Sequence, residues 1–162
     1  MNDGMRVCIV TPGYISSTPR VVREADALAA AGFDVRVVFT QGRIEHLRTY
    51  DDELVRSKAW RASILRWSGR RPGERWLFYR SGVRHRLAER LSAWGVTVPG
   101  VAERAEGRVF PELARLAGEE AADLFIGHYP SGLAAAAAAA RRHGGLVGYD
   151  VEDLYADTFP SS

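Results

Sequence analysis

The sequence predicts an α/β domain built on a parallel β-sheet flanked by helices. Three observations carry that expectation. Short β-branched runs alternate with stretches of helical periodicity at the start of the chain. These runs are almost wholly apolar, as strands covered on both faces are. The same alternation then returns after a divergent middle section. With 162 residues and 46% hydrophobic content, one domain spanning 1–162 has enough apolar surface for a core.

Taken in order, "MRVCIVTP" reads as the first buried strand. A helix follows, with Thr18 as N-cap and Pro19 at the first helical position. Its apolar face is Val21, Val22, Ala25, Leu28 and Ala29, and Gly32 ends it in left-handed geometry. "FDVRVVFT" is the second strand, which completes a βαβ unit with a right-handed crossover. The middle section, 43–107, reads as helix with basic and aromatic decoration. A shorter helix is expected over "DELVRSKAWRASILRWSG", then a turn at "RRPGE". In "ERWLFYRSGVRHRLAERLSAWG", Trp76, Val83, Leu87, Leu91 and Trp94 recur on one side of a helix, while Arg80, Arg84, Arg86 and Arg90 fall elsewhere. Beyond it come a helix over "FPELARLAGEEA", a strand over "DLFIGH", an alanine-rich helix with Ser131 as its cap, and a strand over "GLVGYDV". That makes four strands.

Composition excludes several classes. The single cysteine, Cys8, rules out a disulfide framework within the chain and a thiolate metal cluster, and fits a reducing cytoplasm. The amino terminus lacks the length and cleavage pattern of a signal peptide. No stretch approaches the roughly 20 apolar residues of a membrane helix. The net charge of +2 conceals an asymmetry, because Arg43 to Arg108 holds 15 basic against 8 acidic residues and all four tryptophans. Two accounts of this section stand open. Its tryptophans can be core and its arginines a solvated face, or the two together can dock peripherally on an anionic membrane surface. No nucleic-acid motif is present, so nucleic acid is not an expected partner.

In open parallel sheets, ligands bind outside the carboxyl ends of the strands. Those ends carry "TPGYISSTPRVVREA", "TQGR", "HYPSG" and "YDVEDLYAD". The first is neither a dinucleotide fingerprint nor a P-loop, having one glycine where the former needs three. It does offer Gly13, which permits close backbone approach, and then a helix amino terminus suited to an anion. Arg20 and Arg23 oppose the dipole there, so either Arg20 faces a phosphate or another acid, or both are simply exposed. His128 directly follows the third predicted strand, where an imidazole can take a proton from a substrate hydroxyl, orient it, or bond a backbone carbonyl. The last strand's end gathers Asp150, Glu152, Asp153 and Asp157. If strand geometry continues, Asp150 and Glu152 point to one side as candidate acid–base groups, with helix capping as the structural alternative. No further ligand accompanies them, so no metal is expected.

At this point three segments resemble a known family. "MRVCIVTPGYISSTPRVVREADALAAAGFDVRVVF" resembles the start of GT-B fold glycosyltransferases of the family 4 type, "LFIGHYPSGLAAAAAA" their "H-x-P" segment, and "GLVGYDVEDLYAD" the strand after it. The resemblance covers roughly 5–42 and 108–157, in the right order. It implies a Rossmann-like domain, the amino-terminal, acceptor-side half of a retaining enzyme that moves a sugar from a nucleotide-sugar donor to an acceptor hydroxyl. The acceptor is expected to be a glycan or lipid-linked, as in bacterial polysaccharide biosynthesis. No cofactor is expected beyond the donor substrate. By the same resemblance, Gly13, Tyr14 and Arg20 approach the donor phosphate or sugar, His128 sits beside the reacting centre, and Asp150 and Glu152 lie on the acceptor side. A second, nucleotide-holding domain is expected to lie outside these residues, so the chain alone is expected to be inactive. Its expected place is the cytoplasm or the inner face of the plasma membrane. The alternative from another class is a noncatalytic α/β module that binds a glycan or nucleotide.

Overall fold

Strands β1 (Arg6–Val10), β2 (Asp34–Gln41), β3 (Arg61–Arg66), β4 (Leu124–His128) and β5 (Leu146–Asp150) form one sheet in the computed structural model, which describes residues 4–151. The order is β3-β2-β1-β4-β5 and every pair is parallel, with Val7 beside Val35 and Leu124, and His128 beside Asp150. Among the described residues six α-helices connect them: α1 (Pro19–Ala30), α2 (Glu45–Arg56), α3 (Pro72–Ala93), α4 (Val101–Glu106), α5 (Phe110–Ala117) and α6 (Tyr129–His143). The architecture is Rossmann-like α/β, as the strand and helix alternation predicts.

Strand alternation divides the core in two. Val7, Ile9, Val35, Val37 and Phe39 meet Val21 and Ala25 of α1 on one face. Cys8, Val10, Val38, Leu65 and Phe125 meet α5 and the alanines of α6 on the other. Each fully buried large side chain, such as Phe39 or Phe125, contributes about 1.5–3 kcal/mol relative to exposure. Burial pushes the Cys8 thiol up to about 11, against the opposing charge of Arg36. The buried Arg36 also satisfies the open end of α5, donating to the carbonyls of Leu116 and Ala117.

Helix α6 lies almost on the sheet, which its small residues permit. A Cβ at Gly127 would stand 2.4 Å from Leu133 Cα, and one at Gly132 would stand 2.7 Å from the Val10 carbonyl. Ala135, Ala136, Ala139 and Ala140 are buried at the same contact. The chain must therefore turn sharply from β4 into α6. Tyr129 takes that turn with φ +59°, the one left-handed non-glycine among the described residues, at a cost of about 1–3 kcal/mol.

The structure corrects the sequence reading at several places. The expected helix over 52–69 ends at Arg56, and Arg61–Arg66 is instead β3, a fifth strand. Arginines at both ends of this edge strand mask a run whose Ala62 and Ile64 pack toward α1 while Leu65 packs toward α5. Thr18 does not cap α1 with its side chain; its hydroxyl donates back to the carbonyls of Tyr14 and Ile15. Ser131 does not cap α6, which begins two residues earlier. Pro19 at the start of α1 and Gly32 at φ +91° after it are as expected. The tryptophans split: Trp60 is core and Trp67 half-buried, but Trp76 and Trp94 face solvent.

Candidate functional site

The carboxyl ends of β1, β4 and β5 meet the first turns of α1. Arg20 and Glu24 are four residues apart and so share one flank of that helix. His128 closes β4, and its ring is wholly buried. Its Nε2 lies 2.7 Å from Glu24 Oε2, and its Nδ1 lies 3.4 Å from Asp150 Oδ2. Arg20 Nε in turn forms an ion pair with Asp150 Oδ2 at 2.6 Å. Strand register explains the last two contacts, since Asp150 is the residue paired with His128.

Beside this network is an open hollow of ≈ 550 Å³. Leu124, Ile126 and Gly148 form its floor, and Arg20, Arg23, Glu24 and Asp150 its rim. Glu24 and Asp150 line the hollow, and the buried His128 ring does not. Thr11 stands one residue beyond the Val10–Gly127 pair, at the edge where His128 sits. It is fully buried, and its Oγ1 has no hydrogen-bond partner. A buried orphan hydroxyl is a group that a ligand or a water satisfies.

Chemically, the rim offers carboxylate acceptors for hydroxyl groups and guanidinium donors for an anion. Among the described residues no cluster of three or more His, Cys, Asp or Glu side chains is placed to hold a metal ion. None of their helices is long and apolar enough to cross a membrane.

Of the residues singled out from sequence, Arg20, His128 and Asp150 come together. Arg20 faces an acid, one of its two expected partners. Gly13 and Tyr14 do not line that hollow. The Gly13 carbonyl accepts from the Thr40 amide, and the Tyr14 hydroxyl accepts from the Ile44 amide beside Gly42. Glu152, Asp153 and Asp157 lie outside the described residues. Glu24 and Thr11 were not singled out from sequence. The available signal for Glu24 was its place immediately before Ala25 on the inner side of α1, four residues after Arg20.

No protein-family model, curated protein or solved structure matches the chain.

Proposed function

We propose that this chain is the acceptor-side domain of a retaining glycosyltransferase, and that it binds a hydroxyl-rich acceptor at the Glu24–His128–Asp150 edge. The observation that carries the proposal is the network itself. Two carboxylates from different elements, one hydrogen-bonded and one 3.4 Å away, flank one buried imidazole at the carboxyl margin of a parallel sheet, with Arg20 and Arg23 alongside. Glu24 and Asp150 accept hydroxyl protons, and the arginines neutralise phosphate on a nucleotide-sugar donor. His128 holds Glu24 by a hydrogen bond and lies beside Asp150, so it orients the carboxylates that receive the acceptor hydroxyl. The segments that resemble the family 4 type include this edge. Transfer then requires a nucleotide-holding domain besides these 162 residues.

The buried ring favours one other reading, a noncatalytic glycan- or nucleotide-binding module, because an imidazole with no exposed surface is placed for holding rather than for direct attack. Transfer of labelled sugar from a panel of nucleotide sugars, by the chain joined to a nucleotide-holding domain, separates the two. The enzyme reading expects turnover that falls by about 10²-fold or more in His128→Ala. Transfer undiminished by that change removes the role assigned to the ring. Binding without any transfer supports the module.

A further inference from the structure

Helix α3 carries two apolar faces, and the domain uses only one. Ser81 and Ala88 are buried with Leu77 beside them, and Arg84 reaches Glu112 of α5. On another side, Trp76, Val83, Leu87 and Trp94 follow at intervals of seven, four and seven residues, which sets them within about 40° of one another around the helix. Their exposures are 74%, 71%, 57% and 79%. Tyr79, also exposed, widens the stripe, which runs for about 27 Å. Scattered apolar residues are ordinary on a surface, but an aligned aromatic stripe of this length marks a contact.

Arginines border the stripe. Arg80 lies along one edge and Arg75 and Arg86 along the other, with Arg90 between Val83 and Tyr79 in projection. Arg75, Arg86 and Arg90 have no carboxylate in salt-bridge range among the described residues. Next to Arg86, a hollow of ≈ 470 Å³ is lined by Arg43, Arg86, Arg108, Phe78, Tyr79 and Glu89. Arg43 and Arg108 both sit over the Phe78 ring, at 5.5 and 4.3 Å. Arg108 donates to Ser81 Oγ and to the Phe78 carbonyl, not to a carboxylate. Burial first, then the charges of Arg43 and Arg86, push its guanidinium below the ordinary arginine value. The one acid in this hollow, Glu89, lies 3.4 Å from His85.

These charges choose the occupant. A second copy laid stripe to stripe would bring arginines against arginines. An anionic bilayer supplies phosphate oxygens to the arginines and an interfacial boundary to the tryptophans. We propose that α3 docks the protein on an anionic phospholipid surface, with the Trp76–Trp94 stripe entering the headgroup boundary and the Arg43, Arg86 and Arg108 hollow receiving a lipid phosphate. The docking is independent of the sugar-transfer reading.

Vesicle co-sedimentation of the whole chain tests it, using phosphatidylcholine vesicles with and without about three parts in ten phosphatidylglycerol. Binding is expected on the anionic vesicles with blue-shifted tryptophan emission, and at least about tenfold weaker binding on the neutral ones. The pair Trp76→Ser and Trp94→Ser should abolish it, and Arg43→Gln and Arg86→Gln should each weaken it by roughly fivefold. All four side chains are exposed, so unchanged melting confirms that the variants fold. Equal binding to neutral vesicles, binding that survives the double serine change, or a dimer dissolved by that change would overturn the proposal. So would saturable binding of inorganic phosphate to the hollow without any vesicle binding.

Discussion

Replacing Gly127 by alanine perturbs the contact that sets His128 in place. The new Cβ would meet Leu133 Cα at 2.4 Å, Leu133 N at 2.5 Å and Gly132 C at 2.8 Å, all backbone atoms of α6. Ordinary van der Waals contact begins near 3.4 Å, so α6 must retreat by about 1 Å. No flexible side chain can absorb the clash. Retreat opens the interface at Ala135, Ala136, Ala139 and Ala140, whose exposures are 0–2%, and shifts the turn at Tyr129. Overpacking of this kind costs about 1–3 kcal/mol, and the rigidity of the obstacle puts Gly127→Ala at about 3. For a chain of this size that lowers Tm by roughly 6–12 °C. Urea unfolding followed by circular dichroism measures the loss. Gly73→Ala is the control, since a Cβ there meets nothing within 4 Å and alanine in a helix is neutral or favourable. A Gly127→Ala protein within about 0.5 kcal/mol of the parent would refute the close seating of α6 on β4.

Further predictions concern ion pairs, the thiol and the exposed stripe. Arg48 is buried and donates to both Glu74 oxygens, at 2.9 and 2.6 Å, and to the carbonyls of Gln41 and Gly42. Arg48→Met should cost about 3–5 kcal/mol in urea unfolding, because it strands the Glu74 carboxylate, and a loss below about 1 kcal/mol would show that the pair is not buried as described. Burial alone would raise the Glu112 carboxyl, but hydrogen bonds and charge from Arg84, its own backbone amide and Arg80 outweigh it and hold the group below the ordinary 4.5. A depressed folded value means stability that is present above 4.5 and lost as pH falls through the lower folded value. Acid titration of unfolding should therefore be less steep in Glu112→Gln, and an unaltered profile would remove Glu112 as a source of the slope. Cys8, buried with its thiol raised to about 11, should resist iodoacetamide at pH near 8 until the protein is unfolded, and rapid native labelling would contradict its burial. Trp76→Ser should change stability by no more than about 0.5 kcal/mol, and a larger loss would place that ring in a core.

Much of the fold is legible because local and tertiary signals agree. The runs around Val7 and Val35 are apolar on both faces, and Pro19 and Gly32 punctuate α1, so the first βαβ unit follows from sequence alone. β3 does not, since an edge strand with Arg61 and Arg66 at its ends has neither the apolar run of a central strand nor full alternation. The apolar stripe of α3 was visible in the spacing, but periodicity cannot say which of two apolar faces turns inward. Packing of Ser81 and Ala88 decides that. His128 and Asp150 were legible as residues at strand ends, and Arg20 as one in the helix after the first strand, because the rule for parallel sheets selects an edge. Glu24 was not, since a helical glutamate carries no mark of its partner until register brings β4 against α1. Tyr14 was singled out with its loop, and its hydroxyl accepts from the Ile44 amide beside Gly42.

The most direct measurement is mapping of backbone amide chemical shifts during titration of the chain with a panel of hexoses and nucleotide sugars. Saturable shifts gathered at Arg20, Glu24, His128 and Asp150, and lost in Glu24→Gln, are the expected result. Shifts confined to another face, or unchanged by Glu24→Gln, would contradict a ligand site at this sheet edge.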